Sequence, residues 1–364
     1  MVNEPILDPL CVRSDQCGVT GVAELRSAAE ALDREGKHAE ALAMLGRAAD
    51  TGDADAALAL GLRLFTGRAA PKNLKDGVAA IARAAEGGSA EACRYLAGFA
   101  AEGMALPQDW SAALDWLAAG AERGDEPCRA QLRLLAPDAD IGDSAHAWAK
   151  ARAGIDLEPW LRTPAVKGLS RAPRIFVVEK FLTPQVCAWM IEGSRDKLTD
   201  APIYNDETGK ALKSERRSNT NCVFHPIETD VIHALVRARM AAVAMVSPLV
   251  LEPLSVLHYE VGQEFRRHVD FINPAHPAFV QDLAEKGQRI ATFLTYLNED
   301  FDGAETEFPV LALRWRGKTG DAILFHNVDP AGEPDRRTLH AGRTPTRGEK
   351  WLLSQFIRDK TQVY

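Results

Sequence analysis

No apolar run in this chain approaches the roughly 18 residues that a membrane helix requires, and no two of its cysteines form a C-x-x-C pair. The six cysteines, Cys11, Cys17, Cys93, Cys128, Cys187 and Cys222, are scattered over 364 residues. Spread so thinly, they read as reduced thiols in a cytoplasmic protein, with a Cys11–Cys17 bridge in the tail as the minor alternative. An excess of basic charge is missing too: 43 Lys and Arg against 51 Asp and Glu leave a net charge of −8. That balance gives no reason to expect a nucleic acid or an acidic membrane as partner. The opening "MVNEPILDPLCVRSDQCGVTG" lacks the basic start and apolar stretch of a secretory signal, and residues 1–21 read as a flexible tail. What is present is ordinary for a soluble globular protein, and the length suggests two domains.

Residues 22–135 are alanine-rich with helical periodicity. "ALAMLGRAADTGD", "GVAAIARAAEGGS" and "ALDWLAAGAERGD" superpose at an interval of 36 residues, aligning Leu45, Ile81 and Leu117, and then Gly52, Gly88 and Gly124. A second template aligns Leu60 with Leu96 and Gly67 with Gly103 at the same interval. A fixed period of this size predicts stacked helical hairpins, with small residues allowing close approach and glycines ending helices in the left-handed conformation. The pattern resembles Sel-one-like repeats, relatives of the tetratricopeptide repeats. Such arrays dock partners, or form a helical cap that steadies a neighbouring domain. Residues 136–170 lose the period and read as a linker able to carry one helix, "SAHAWAKARAG".

The texture changes after Arg174. "RIFVVEKFL" is β-branched and aromatic, and Thr183 then Pro184 mark a helix start. "ETDVIHALVRARMAAV" predicts a second helix, and from Leu254 onward short strands dominate. Helices followed by antiparallel strands predict a double-sheet barrel backed by helices over residues 171–364.

"RRHVDFI" places His268 and Asp270 two residues apart on an expected strand, so both side chains point to one face. His340, in "TLHAGRTPTRGEKW", offers a second imidazole from a distant strand. Two histidines and a carboxylate on one face of an ion is the facial triad of non-haem Fe(II) oxygenases; it leaves positions for cosubstrate and dioxygen. Lys350 follows His340 by ten residues in an apolar strand, where a buried ammonium needs an anion.

Several ordered blocks together resemble the prolyl 4-hydroxylase-like branch of the 2-oxoglutarate- and Fe(II)-dependent dioxygenases: "YEVGQEFRRHVD", "GQRIATFLTYLN", "GAETEFP", "GDAILFHN" and "LHAGRTPTRGEKW". The resemblance implies a double-stranded β-helix (jelly-roll) in residues 171–364. It implies His268, Asp270 and His340 as iron ligands and Lys350 against the distal carboxylate of 2-oxoglutarate. It puts Tyr259, Tyr296 and Thr292 around the cosubstrate, and it leaves room for ascorbate as an accessory reductant. Gly303-Ala304 stands where the family has two glycines, and Thr344 where it has proline. These turns flank the entrance, so they bear on substrate choice. The reaction implied is hydroxylation of a C–H bond, with a peptidyl proline as leading substrate and the helical repeats docking a protein or peptide. The alternatives are a hydroxylase of a free amino acid or other small molecule, and a non-catalytic repeat scaffold that senses 2-oxoglutarate or oxygen. In "SERRSNTN", Arg216 or Arg217 could face a substrate, with a solvated loop as the favoured account.

Overall fold

The computed structural model describes residues 17–137, 142, 145–201, 203–204, 211–212 and 217–362. Most of the expected tail, with Cys11, therefore lies outside the described residues. The chain divides into two compact units, and the division falls between Gly154 and Ile155, inside the segment expected as a linker.

The first unit is helical: α1 (Cys17–Arg34), α2 (His38–Asp50), α3 (Ala54–Thr66), α4 (Leu74–Glu86), α5 (Ala90–Glu102), α6 (Trp110–Glu122), α7 (Glu126–Leu135) and α8 (Ala145–Ala153). The 36-residue period reappears in the caps. Asp53, Ser89 and Asp125 each accept hydrogen bonds from the first-turn amides of α3, α5 and α7, and Asn73 and Asp109 do the same for α4 and α6. Gly61 and Gly77 let α3 and α4 touch: a Cβ on Gly61 would sit 2.8 Å from the Gly77 carbonyl. The Phe65 and Phe99 rings stack at 4.4 Å, in the middle of a core made mostly of alanine.

The second unit opens with α9 (Glu158–Leu161), β1 (Lys167–Arg171), β2 (Arg174–Val178) and α10 (Pro184–Arg195), the last capped by Thr183 as expected. Then follow β3 (Thr199–Asp200), β4 (Ile203–Tyr204), β5 (Ala211–Leu212), β6 (Thr220–Val223), α11 (Val231–Ala244), β7 (Ser255–Tyr259), β8 (Phe265–His268), α12 (Val280–Lys286), β9 (Arg289–Tyr296), β10 (Asp302–Gly303), β11 (Thr306–Phe308), β12 (Leu313–Trp315), β13 (Ala322–His326), β14 (His340–Gly342), β15 (Pro345–Arg347) and β16 (Lys350–Arg358). The order β1-β2-β13-β9-β16-β7-β6-β3 forms a major sheet, and β12-β11-β14-β8 a minor one. Both are antiparallel. This is the expected double-stranded β-helix, a jelly roll whose two sheets face each other.

Strand alternation divides the major sheet into two faces. Lys350, Leu352, Ser354 and Phe356 of β16 point inward and line a cavity of about 270 Å³. On the outer face Gln355 accepts a hydrogen bond from Arg237 of α11, and the buried Phe181 ring, before α10, packs at 4.9 Å on Phe293 of β9. The helices therefore cover one face and leave the other to line the cavity. No described helix is long and apolar enough to cross a membrane.

Candidate metal centre and cosubstrate pocket

The two imidazoles meet because their strands pair: His340 on β14 lies directly opposite His268 on β8 in the minor sheet. Asp270 arrives differently from the expectation. β8 ends at His268, so Asp270 reaches the same point from the turn after the strand rather than from the pleat. Its Oδ1 lies 3.3 Å from His268 Nε2 and its Oδ2 3.4 Å from His340 Nε2. All three residues present ligand atoms within 4.8 Å of one another. Bonds of about 2.1 Å to one ion put neighbouring ligand atoms about 3 Å apart, so this donor set fits a first-row divalent metal.

Backbone groups fix the ring orientations. His268 Nδ1 is 2.8 Å from the Arg266 carbonyl and His340 Nδ1 3.0 Å from the Thr338 carbonyl. Each Nδ1–H donates there, which leaves both Nε2 lone pairs free for a metal. Burial pushes His340 down to about 4, against the pull of Asp270. Burial penalises the Asp270 carboxylate too, but the neighbouring imidazoles and the Thr292 hydroxyl outweigh it and hold the group well below its ordinary range. Asp270 is thus ionised and His340 neutral near pH 7, the protonation states that bind a cation.

Thr292 was expected beside the cosubstrate. It does line the cavity, yet its hydroxyl donates to Asp270 Oδ2 at 2.7 Å and accepts from Asn327 Nδ2 at 2.9 Å. Because Asn327 takes the hydroxyl's lone pair, the proton must point at the carboxylate. Thr292→Val is expected to weaken metal affinity by about 10-fold to 100-fold with little change in fold. Titration of the metal-free protein with Mn(II), followed by the spin-resonance signal of free ion, checks it, and an unchanged Kd refutes it. Asn327 was not singled out in the sequence, although it closes the "GDAILFHN" block.

Lys350 begins β16 opposite Tyr259 and is fully buried. Its Nζ donates to the Ala304 carbonyl at 2.9 Å and to the Tyr296 hydroxyl at 3.4 Å. Among the described residues no carboxylate forms an ion pair with it. Burial pushes it down to about 7, with Glu305 opposing from a distance. Tyr259 lines the cavity and burial pushes its phenol up to about 12, so it is a neutral donor. Tyr296 does not line the cavity. Its hydroxyl donates to the Trp315 carbonyl, accepts from the Thr306 N–H, and braces Lys350 from behind.

Ala304, which replaces the family's second glycine, has φ 56°. An alanine held in that left-handed region is strained, and the strain aims its carbonyl at Lys350. Asn298 donates to the Glu349 carbonyl and accepts from the Trp351 N–H, clamping the backbone on both sides of Lys350. Arg217 corrects the favoured of the two sequence readings. It is not a solvated loop residue: it bridges to Phe265, lays its guanidinium over that ring at 4.6 Å and lines the cavity. Arg216 lies outside the described residues.

An imidazole pair and a carboxylate inside a double-stranded β-helix, with a buried cation in the same cavity, define the class of non-haem metal oxygenases that take an anionic cosubstrate. Comparisons with known proteins agree. Residues 254–358 match the 2OG-Fe(II) oxygenase superfamily. Prolyl 4-hydroxylase 1 of Arabidopsis thaliana is 30% identical over 207 residues, covering 53% of this chain and 71% of that protein. The chain spans about two thirds of another relative, the probable prolyl 4-hydroxylase 7 of the same plant, at 29% identity over 54% of this chain and 66% of the relative. A solved structure of the viral collagen prolyl hydroxylase vCPH from Paramecium Bursaria Chlorella virus-1 aligns at 26% identity and a TM-score of 0.38, over 50% of this chain and 94% of that one. The chain belongs to the prolyl 4-hydroxylase branch of the 2OG-Fe(II) oxygenase superfamily, whose cofactors are Fe(II) and 2-oxoglutarate and whose oxidant is dioxygen.

Proposed function

We propose that this protein hydroxylates a C–H bond of a prolyl residue in a protein or peptide. The single observation that carries the reading is the pairing of two features in one cavity: three convergent metal-ligand atoms, and a buried lysine with no carboxylate partner among the described residues. His268, Asp270 and His340 hold the metal. Lys350, braced by Tyr296 and the Ala304 carbonyl, binds the distal carboxylate of 2-oxoglutarate, and Tyr259 donates to the same molecule from the cavity wall. Fe(II) and 2-oxoglutarate supply the oxidising chemistry, in which dioxygen is consumed, 2-oxoglutarate becomes succinate and CO₂, and one oxygen atom enters the substrate. The chain's own contribution is position and dryness. Phe265 stacks on His268 at 3.5 Å, and Phe308 and Phe325 flank His340, so water is kept from the side of the ligands that faces the core.

The helical repeats complete this reading as the docking surface for a protein substrate, since stacked hairpins present an extended groove. Its test is direct. With Fe(II) and 2-oxoglutarate, proline-containing peptides should gain one oxygen by mass spectrometry, with one succinate formed per oxygen gained. A chain lacking residues 1–135 should turn over short peptides as before and lose ground only on full-length protein substrates. Oxygen transfer to free amino acids but to no peptide refutes the peptide reading.

A further inference from the structure

The cavity wall opposite the minor sheet carries a polar strip over β6, β7 and β16. Asn221 on β6 pairs with Leu257 on β7, and both line the cavity. Asn221 is 7% exposed, and among the described residues its Oδ1 has no hydrogen-bond partner. Two residues along, Val223 faces the same way and pairs with Ser255, which in turn pairs with Ser354 of β16. Buried carbonyl oxygens are nearly always satisfied. An orphan acceptor beside a cavity is explained by a ligand that brings the donor.

We propose that Asn221 is a specificity-determining residue that accepts a hydrogen bond from a substrate N–H, with Ser255 and Ser354 completing the strip. The proposal rests on the prolyl hydroxylase reading and says which substrates that site takes. An acylated proline has no N–H of its own. The donor is therefore a neighbouring main-chain amide of a peptide, or the ring ammonium of free proline. The strip favours the peptide. It crosses three adjacent strands, a span of about 10 Å at roughly 4.8 Å per strand, which suits an extended peptide and exceeds one amino acid.

The test uses the full chain with Fe(II) and 2-oxoglutarate and three kinds of probe: a decapeptide with one central proline and alanine on either side, the same peptide N-methylated at one flanking amide at a time, and free L-proline. Wild-type protein should show a KM about fivefold to tenfold higher for one of the methylated peptides, the worth of one hydrogen bond. Asn221→Leu, with the same branched skeleton but without the acceptor, should raise KM for the unmodified peptide to that of the methylated one and leave KM for 2-oxoglutarate where it was. Asn221→Ser is the second variant, should leucine disturb β6; it should lose the same discrimination, because its shorter side chain cannot reach the donor. Calorimetric binding of the peptides to the Mn(II)-loaded protein should give the same ranking without turnover. Equal KM for all peptides in wild type, or discrimination that survives both substitutions, overturns the proposal while the hydroxylase reading stands. Preferred turnover of free proline moves the donor to the ring ammonium and overturns the peptide assignment. No binding and no oxygen transfer with any probe overturns the hydroxylase reading itself, and this subsite falls with it.

Discussion

Lys350→Met abolishes measurable 2-oxoglutarate binding and, at the same time, makes the ligand-free protein more stable. Both effects come from one fact: Lys350 is fully buried and its amine, pushed down to about 7, has no anion beside it among the described residues. Truncating one partner of a buried charge pair costs about 2–5 kcal/mol, so affinity for 2-oxoglutarate should fall by about 30-fold to several thousand-fold. In the ligand-free chain the same lysine is a burden. Replacing even a paired buried charge by apolar residues of similar size is neutral or gains about 1–4 kcal/mol in other proteins, and an unpaired one stands to gain more; the orphaned Ala304 carbonyl gives back about 1 kcal/mol. A rise of a few degrees in Tm follows.

The pH dependence has a definite sign. Between pH 7 and the ordinary lysine value, the unfolded chain binds a proton that the folded chain does not, so ligand-free wild type gains stability as pH rises through that window. The advantage of Lys350→Met should therefore be largest below pH 7 and shrink towards pH 10. Binding of 2-oxoglutarate runs the other way. The complex needs the ammonium, so binding takes up a proton above pH 7, and Kd should rise by up to about tenfold per pH unit there. Calorimetry in two buffers of different ionisation enthalpy measures that uptake. A pH-independent Kd together with a destabilised Lys350→Met would mean that the lysine is structural.

How far the sequence announced these features depended on whether the physics was local. The repeats were legible because apolar and glycine positions recur every 36 residues, and the structure shows the capping residues Asp53, Ser89 and Asp125 of α3, α5 and α7 recurring at the same interval. The double-stranded β-helix was legible through the blocks around Tyr259, Tyr296 and Lys350, without its strand order. Where β8 stops was not, because strand ends depend on what the neighbouring chain offers; Asp270 therefore lies in a turn. Arg217 sits in a string of charged and polar residues, which reads as solvated until Phe265 is brought beneath it from β8. Thr292 could be placed near the centre but not assigned to Asp270, since only Asn327, 35 residues away, fixes which way its hydroxyl points. Asn221 carried no signal at all. A single asparagine on a short strand matters only once the opposite wall of the cavity exists.

Asp270→Asn should empty the site of metal and leave the fold intact. The substitution keeps shape and removes the charge. Its carboxamide oxygen still accepts from Thr292, 2.7 Å away in the wild type, and its NH₂ takes the place of Oδ1, 3.3 Å from His268 Nε2. That nitrogen carries a lone pair, because Nδ1–H is committed to the Arg266 carbonyl. An N–H···N hydrogen bond thus forms where the cation would sit, and of the two histidines and Thr292 only His340 loses a partner, at its Nε2. Wild-type protein should gain about 2.7 kcal/mol of stability at a metal concentration 100 times its Kd. In Asp270→Asn that increment should vanish, and its metal-free Tm should lie modestly below that of metal-free wild type, because the stability carried by the depressed carboxyl goes with the charge. Asp270→Ala gives the contrast. It also loses the metal, but it strands the Thr292 hydroxyl and both Nε2 atoms in a dry pocket, and its Tm should fall below that of metal-free wild type by the equivalent of about 1–3 kcal/mol. Thermal melts of the three proteins, with and without Mn(II), decide the matter. Retention of the metal-dependent rise in Asp270→Asn would remove Asp270 from the ligand set and leave the two imidazoles in search of a different third ligand.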